Sequence, residues 1–288
     1  MGRSRLLLLT VAALLAFAGN SLLCRLALRG GHIDPAAFTT LRIVSGAVAL
    51  WVLLALRRAG RPAGDWTSAL ALTVYAVAFS FAYLTLSAGM GALLLFGAVQ
   101  ASMLLAGIAA GERPGPAQLA GLALAVAGLV FLVLPGLEAP APLGAALVLA
   151  AGVAWGMYSL RGRRAGVPVL ATAGNFLRAV PLAALAALPF VHSWHADGAG
   201  VTYALVSGVV TSGLGYVVWY AALKGLTATR AAVAQLSVPV LAALGGVLLL
   251  GEALTPRLAI ASCVILGGVA LAILGPQPGR YAGRRLPG

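Results

Sequence analysis

The chain has 288 residues, of which 61% are hydrophobic and 9% are charged, whereas an ordinary soluble domain is about half apolar and about a quarter charged. This composition excludes a soluble domain and predicts an integral membrane protein. A bilayer span needs about 20 apolar residues, so the chain has room for about ten spans joined by short loops. The formal net charge of +13 needs a separate explanation, because on a soluble domain it would indicate nucleic-acid binding.

Charge-poor segments bounded by Arg, Pro, Gly or Asp predict the spans. The longest segment, Trp66 to Gly111, contains no charged residue, and as a single helix it would be about 69 Å long. It is therefore predicted to form two spans with a turn at Ser87-Ala88-Gly89. The other predicted spans are Leu6 to Leu28, Pro35 to Leu56, Pro116 to Leu134, Leu143 to Leu160, Val167 to Val191, Val201 to Leu223, Leu226 to Leu250 and Leu258 to Leu274. The sequence thus predicts an all-α integral membrane protein with ten transmembrane helices.

The distribution of basic residues predicts how these spans are oriented. Basic residues that flank membrane spans accumulate on the cytoplasmic side. With the N-terminus in the cytoplasm, the cytoplasmic segments collect most of the bases, and the outer loops hold only Arg29 and Arg257. Both termini are therefore predicted to be cytoplasmic, and the net charge is explained without nucleic acid. A cleaved signal peptide is the less favoured alternative for the N-terminus, because the first apolar run continues past Ala18 to Leu28.

The sequence contains an internal repeat. Gly111-Glu112 closes the fourth predicted span and Gly251-Glu252 closes the ninth, 140 residues later. Further matches are Pro116 with Pro256, Gly128 with Gly268, Leu134 with Leu274 and, after a small gap, Arg42 with Arg178. The predicted halves are residues 1–137 and residues 138–288, the second with a short cytoplasmic tail. Because five helices per half is an odd number, the halves have inverted topology, which carriers use for alternating access around a midplane site.

These features resemble the EamA-type ten-helix members of the drug/metabolite transporter superfamily. The resemblance rests on the five-plus-five arrangement, the repeated Gly-Glu-x-x-x-Pro sequence, and the turns Phe17-Ala18-Gly19-Asn20 and Ala154-Trp155-Gly156. The first half departs from the pattern, because it lacks the mid-helix proline that Pro239 gives the ninth span. The resemblance implies a transporter of the bacterial inner membrane that exports amino acids or related small metabolites. Export of another metabolite or drug is the alternative within the superfamily, and a channel is a less favoured one.

Two stripes of aromatic residues are candidates for a substrate cavity. They are Tyr75, Phe79 and Tyr83 in the third span and their repeat counterparts Tyr216, Trp219 and Tyr220 in the eighth. Residues four apart share a helix face. Packing or an interfacial aromatic belt is the structural alternative, but stripes through the middle of two related helices cannot all lie at the interface. We therefore predict that they line a cavity suited to an apolar or aromatic side chain. This lining resembles that of the superfamily's exporters of aromatic amino acids.

Polar and amphipathic residues deep in the spans form a second group of candidates. They are Asn20, Gln100, Trp155, Tyr158, Asn175 and Gln235. Interhelical hydrogen bonding is the structural alternative for each of them. The amides near the centres of the fourth and ninth spans, Gln100 and Gln235, are suited to bind the ammonium and carboxylate groups of an amino acid.

Two arginines, Arg42 and Arg178, are the only charges well inside the predicted spans. An intramembrane arginine is a functional hypothesis by default, here as a ligand for a substrate carboxylate. The alternative is a structural bond to the carbonyl groups of a neighbouring helix. Glu112 and Glu252 are expected to cap helix ends, with pairing to the nearby Arg113 and Arg257 as a second possibility.

The sequence lacks the residue patterns typical of ion coupling, catalysis and metal binding. No Asp or Glu lies in the middle of a span, where proton- or sodium-coupled carriers commonly use one, so we expect a facilitator driven by the substrate gradient. No catalytic constellation is present, and the two cysteines, Cys24 and Cys263, lack metal-ligand spacing. We therefore expect no enzyme activity, no cofactor and no metal. The expected partners are a small-molecule substrate, an amino acid, and the lipid bilayer, with a monomer sufficient for transport.

Overall fold

The computed structural model describes residues 2–109, 115–134, 136, 139–162, 167–223, 225–226 and 234–274. In this part of the chain the helices are α1 Arg3–Arg29, α2 Pro35–Arg57, α3 Trp66–Ala82, α4 Ala88–Ala109, α5 Pro116–Val133, α6 Pro142–Gly162, α7 Pro168–Ala187, α8, α9 Ser237–Leu250 and α10 Pro256–Leu274. A 3₁₀ turn, Leu188–Ser193, extends α7. Helix α8 comprises the α-helix Gly198–Val206, the π-helix Ser207–Leu214 and the α-helix Gly215–Leu223.

These helices form a membrane-spanning bundle. Seven of the described helical segments are long and apolar enough to cross a bilayer, and three more are shorter apolar helices. Large apolar side chains such as Leu7, Trp51 and Leu248 are more than half exposed on the outside of the bundle, where lipid would cover them. The prediction of an all-α membrane protein with ten transmembrane helices is confirmed.

The predicted boundaries differ from the observed ones mainly in two places. The turn that divides the long apolar segment lies between Ala82 and Ala88, so it includes the predicted Ser87 and begins earlier. The ninth span was expected from Leu226, whereas the helix α9 begins at Ser237, and residues 227–233 lie outside the described part of the chain.

Aspartates begin three of the helices. Asp34 accepts hydrogen bonds from the backbone N–H groups of Ala36 and Ala37 at 2.9 Å. Asp65 and Asp197 cap α3 and α8 in the same way. Such caps satisfy N–H groups that have no partner within the helix. Most of the described acidic residues therefore lie at helix ends for a local structural reason.

The packing of the helices has pseudo-twofold symmetry. Helix α1 packs on α8 and α9, and its repeat counterpart α6 packs on α3 and α4. Helices α2 and α7 pack on each other, as do α4 with α9 and α5 with α10. Most of the contacts between the halves in the described part of the chain therefore have a symmetric counterpart or join two equivalent helices. This arrangement places the interface between the halves at the centre of the bundle.

The two halves run through the bundle in opposite directions. Arg25 near the end of α1 contacts Glu252 after α9, whereas Arg161 near the end of α6 contacts Asp65 before α3. We name the two ends of the bundle the Glu252 end and the Asp65 end. Helix α1 therefore ends at the Glu252 end, and its counterpart α6 ends at the Asp65 end, as an inverted repeat requires.

The π-helical segment distinguishes α8 from its repeat counterpart α3. It packs against α2 with no space for a side chain, because a Cβ atom at Gly208 would overlap the Arg42 carbonyl oxygen and the Ser45 hydroxyl. The π-helix is rare and occurs frequently at functional sites. Its wide turns here direct the hydroxyl groups of Ser207, Thr211 and Ser212 toward α1 and α2.

Candidate functional site

A small cavity lies between the two halves. Its walls come from α1, α3, α4, α6 and α8, and the lining residues are Phe17, Asn20, Ser21, Tyr75, Phe79, Leu95, Phe96, Trp155, Thr211 and Tyr216. The volume of about 20 Å³ has room for about one water molecule. Ligand pockets usually measure about 300–1,000 Å³. The cavity is therefore too small to hold an amino acid in this conformation.

Aromatic rings from both halves form most of the cavity wall. The Trp155 ring of α6 lies 4.8 Å from the Tyr75 ring and 4.9 Å from the Tyr216 ring, measured between centroids. Trp155 also contacts Tyr158 at 5.5 Å, and Tyr75 contacts Phe79 at 5.4 Å. These separations lie in the range of favourable aromatic pairs. The structure therefore brings the two sequence stripes together through a tryptophan from a third helix.

Helix α1 adds a further aromatic residue, Phe17, to the cavity wall. The Phe17 ring packs edge-on against Tyr216 at 6.1 Å and against Trp219 at 5.7 Å. Trp219 is buried behind this contact and does not line the cavity. Tyr220 lies in the same helix, and its side chain is outside the described part of the chain.

Asn20 is the centre of a polar network at the cavity. Its Nδ2 atom donates to the Tyr75 hydroxyl at 3.3 Å. Its Oδ1 atom accepts from Ser207 at 2.8 Å and from Thr211 at 3.3 Å. Because Asn20 belongs to α1 and both hydroxyls belong to the π-helical segment, the network joins the two halves. Asn20 therefore forms hydrogen bonds between helices and also lines the cavity.

Arg42 of α2 lies directly behind the aromatic wall. Its Nε donates to Ser212 at 3.1 Å, and its Nη2 donates to the Tyr75 hydroxyl at 3.2 Å. The guanidinium carbon is 5.3 Å from the Tyr75 ring centroid and 5.1 Å from that of Phe79. Arg42 is only 1% exposed, and its buried Nη1 atom has no hydrogen-bond partner in the part of the chain that the structure describes.

Several residues predicted to bind substrate lie away from the cavity. Tyr83 follows the end of α3, stacks on Phe79 at 4.6 Å and is completely buried. Gln100 in α4 and Gln235 before α9 are half-buried, and neither lines the cavity. Tyr158, Asn175 and Arg178 do not line the cavity either, and the last two belong to contacts at the Asp65 end. The predicted set is thus divided between residues that line the central cavity and residues that lie away from it.

Sequence reasoning did not select some lining residues. Ser21, Leu95 and Phe96 have no pattern that separates them from other apolar or small residues. Thr211 and Ser212 were unremarkable as isolated hydroxyls, because their orientation depends on the π-helix. The only available signal was the run of glycines around them, Gly208, Gly213 and Gly215, which weakens an α-helix.

The Glu252 end is closed by a largely buried ion pair between the halves. The Nε atom of Arg25 lies 3.0 Å from Oε1 of Glu252, and the two side chains are 14% and 8% exposed. Glu252 Oε2 also accepts from the Ala88 backbone N–H at 2.8 Å, at the N-terminus of α4. Arg25 Nη1 donates to the carbonyl groups of Tyr83 at 2.9 Å and Leu84 at 3.1 Å.

This geometry corrects the expected partner of Glu252. The sequence suggested Arg257, five residues away, but the structure pairs Glu252 with Arg25 from the other half. Arg257 donates instead to the Phe131 carbonyl at 2.8 Å, because the start of α10 packs beside the end of α5. The corresponding Glu112 and Arg113 lie outside the described residues.

The Asp65 end is closed by the loop between α2 and α3. Ala63 N–H donates to the Leu170 carbonyl at 2.9 Å, and Asp65 N–H donates to Asn175 Oδ1 at 3.0 Å. Arg178 Nη1 donates to the Ala63 carbonyl at 2.8 Å. The loop fits so closely that a Cβ atom at Gly174 would overlap the Ala63 carbonyl oxygen. Asn175 and Arg178 therefore fix this loop in the structure and do not contact the cavity.

A second contact at the Asp65 end joins α6 to the start of α3. Arg161 Nη2 lies 2.9 Å from Asp65 Oδ1, and Arg161 Nε donates to Ser68 Oγ at 3.0 Å. Both charged side chains are nearly half exposed. The pKa of Asp65 is lowered from its usual value, because although partial burial opposes the shift, bonds from Ser68 and Arg161 favour the carboxylate.

A bundle of membrane-spanning helices with a small cavity between two inverted halves is the architecture of many membrane transporters. The model of the EamA-like transporter family matches residues 4–134 and 142–274. The chain therefore belongs to the EamA-like transporter family, and the resemblance to the drug/metabolite transporter superfamily is confirmed. It is a multi-pass membrane protein of a transporter family found in bacteria.

Relatives of the chain include transporters of amino acids. It is 33% identical over 168 residues to the threonine/homoserine exporter RhtA of Escherichia coli, covering 56% of this chain and 54% of RhtA. It is 30% identical over 207 residues to a probable terminal-alkyne amino-acid exporter of Streptantibioticus cattleyicolor, covering 69% of each chain. An uncharacterized Pseudomonas aeruginosa protein is 60% identical and covers 96% of this chain and 97% of its own. A crystal structure with 26% identity matches 95% of this chain and 98% of its own with a TM-score of 0.68.

Proposed function

We propose that this transporter exports neutral amino acids, with aromatic ones preferred, by alternating access around the central cavity. The observation that carries the proposal is the convergence of Tyr75, Phe79, Trp155 and Tyr216 from both halves around the polar group of Asn20. Flat aromatic walls suit an aromatic or apolar side chain, and hydroxyl and amide groups orient its polar end.

The relatives support the substrate class. The printed names of two of them specify export of amino acids, threonine and homoserine in one case and a terminal-alkyne amino acid in the other. These substrates share the amino-acid backbone and differ in the side chain. Because fold alone does not determine a substrate, the aromatic preference rests on the cavity wall of this chain.

Alternating access is supported by the closure of both ends. Arg25 and Glu252 join the halves at one end, and Asp65 and Asn175 join them at the other. We take the halves as residues 1–137 and residues 138–288. A rocking motion that breaks one set of contacts while keeping the other would open the cavity to one side at a time. Substrate exchange requires such opening, since the closed cavity is too small for an amino acid.

We assign the Asp65 end to the cytoplasm of the inner membrane. Arg57 ends α2 at this end, Arg58 and Arg61 follow it, and Arg161 lies at the end of α6. Basic residues next to spans accumulate on the cytoplasmic side. With this orientation, both termini are cytoplasmic and the Glu252 end faces outward.

Counterflow in proteoliposomes tests this function. Vesicles preloaded with one unlabelled amino acid should accumulate the labelled form transiently, with saturation, and aromatic amino acids should exchange faster than aliphatic ones. Trp155→Ala should reduce the rate about 10-fold or more, because the contact removed is worth about 1.5–3 kcal/mol. Trp51→Ala is the matched control, since Trp51 is 56% exposed on the outer surface. Conductance without saturation would identify a channel instead, and unchanged counterflow in Trp155→Ala would exclude the cavity assignment.

A further inference from the structure

Arg42 carries a buried positive charge with no negative partner in the described structure. It is the only buried lysine or arginine among the described residues. None of the three ion pairs in this part of the chain includes it. The described side chains that line the cavity include no acid, so the region around Arg42 has an uncompensated positive charge.

The neighbours of Arg42 solvate this charge only in part. Its hydrogen bonds to Ser212 and Tyr75 end on neutral hydroxyls, and the Nη1 atom has no partner among the described residues. A buried charge without a counter-ion is strongly unfavourable, and a buried donor without an acceptor adds a further penalty. A bound anion would remove both penalties at once.

The Tyr75 hydroxyl marks where such an anion would bind. Two donors converge on this one oxygen, Asn20 Nδ2 at 3.3 Å and Arg42 Nη2 at 3.2 Å. Both distances are long compared with charge-assisted bonds of about 2.7–2.9 Å to a carboxylate. Tyr75 itself lines the cavity, so displacement of its ring would connect Arg42 to the substrate space.

We propose that a substrate carboxylate takes the place of the Tyr75 hydroxyl between Arg42 and Asn20 when the cavity opens, with one oxygen meeting the free Nη1 of Arg42. This inference rests on the proposed function and deepens it. No acidic group in the described lining selects an ammonium group. The transported class is therefore small monocarboxylates with an apolar or aromatic side group, and the amino group is not required. Amines without a carboxylate are excluded, because they would bring a second positive charge beside Arg42.

Three matched substrates test this proposal in proteoliposomes of the wild-type protein. They are an aromatic amino acid, the corresponding 2-hydroxy acid and the corresponding decarboxylated amine, each in saturable counterflow at pH 7 with protein-free vesicles as background. Both carboxylates are ionised at this pH. We expect the amino acid and the hydroxy acid to exchange at rates within about 10-fold of each other, a difference of about 1.4 kcal/mol, and the amine to show no exchange.

The outcomes separate this inference from the proposed function. Exchange of the amino acid without the hydroxy acid, or of the amine as fast as the amino acid, would overturn the inference and leave amino-acid export intact. Exchange of the hydroxy acid without the amino acid would overturn the proposed function and support the carboxylate class. Exchange of none of the three would overturn both.

Substitution of Arg42 provides a second, independent measurement. Arg42→Gln should lower counterflow of both carboxylates by the same factor of about 10 or more, and Arg42→Lys should restore part of it by returning the charge. Arg57→Gln, an exposed arginine at the end of the same helix, is the control and should leave both rates unchanged. A folded Arg42→Gln protein with wild-type counterflow would contradict the proposal. If Arg42→Gln does not fold, the comparison of the three substrates in the wild-type protein still tests the proposal.

Discussion

The two ends of the bundle are closed in physically different ways. At the Glu252 end, the ion pair of Arg25 and Glu252 joins side chains from opposite halves, and both are largely buried. At the Asp65 end, the loop before α3 docks on α7 mainly through backbone groups, and the ion pair of Arg161 and Asp65 is nearly half exposed. One end therefore depends on a desolvated charge pair, and the other on close backbone fit.

This difference indicates what opens each end. Opening the Glu252 end returns two charges to water, which compensates much of the lost pairing, whereas removing only one charge leaves the other buried and unpaired. Opening the Asp65 end exposes backbone groups that water can satisfy. Substitution of a single charged residue should thus weaken the closure at the Glu252 end. The closure at the Asp65 end should instead be weakened by substitutions that add side-chain volume.

The largest expected effect is that of Glu252→Gln. The substitution leaves the largely buried Arg25 guanidinium without its counter-ion, and breaking a fully buried pair in this way costs roughly 3–5 kcal/mol, which is the upper bound here. Cys24 is completely buried in α1 beside this pair, and it should react faster with a small maleimide in the variant. The measurement uses proteins in which the exposed Cys263 is replaced by serine.

A control at the same end makes this result specific. Arg29 donates to the Leu250 carbonyl at 2.7 Å and is exposed, so Arg29→Gln should leave the labelling rate of Cys24 nearly unchanged. Equal labelling of Cys24 in Glu252→Gln and in the wild-type background would contradict the role of the buried pair.

Gly174→Ala should have the next largest effect, at the opposite end. The added methyl group overlaps the Ala63 carbonyl oxygen, so the loop must move away from α7, and overpacking of this kind typically costs about 1–3 kcal/mol. The melting temperature in detergent should fall, while the labelling rate of Cys24 at the other end stays constant. Gly267→Ala is the matched control, because a Cβ atom there meets no atom within 4 Å. A wild-type melting temperature for Gly174→Ala would show that the loop does not depend on close packing.

Arg161→Gln should have a smaller effect than either substitution. The pair with Asp65 is nearly half exposed, and exposed ion pairs contribute about 0.2–1 kcal/mol. The melting temperature should therefore decrease only slightly, and it should do so less in high salt, which screens exposed charges. A loss as large as that of Glu252→Gln would remove the contrast between the two ends.

The sequence was sufficient for much of the fold because membrane spans depend on local composition. Charge-poor segments of the required length and the repeated Gly-Glu sequence predicted the helices and their inverted halves. The helical spacing of Tyr75 and Phe79 and the deep position of Asn20 predicted residues that do line the cavity. These properties can be read from neighbouring residues or from the repeat.

The pairing of side chains from distant helices and loops could not be predicted in the same way. Arg25 and Arg161 occupy similar positions in the two halves, yet one pairs with Glu252 and the other with Asp65. Arg42 and Arg178 match in the repeat, but Arg42 is buried beside the cavity and Arg178 bonds a loop carbonyl. The repeat predicts equivalent depth in the membrane, whereas the side-chain partners depend on loops and on the π-helix, which differ between the halves.

The smallest expected effect concerns pH at the Glu252 end. His32 Nδ1 lies 2.7 Å from Asp197 Oδ2 and joins the loop after α1 to the start of α8. The backbone N–H of Gly200 and the bond to His32 lower the pKa of Asp197 from its usual value, which is about 3.9 in an unfolded chain. A lowered carboxyl pKa stabilises the fold above the unfolded value, and this stabilisation is lost as the pH falls through the folded value. The melting-temperature difference between the wild-type protein and Asp197→Asn should therefore shrink as the pH falls below about 4, where the carboxylate becomes protonated. A difference that increased as the pH fell below about 4 would have the wrong sign for this contact.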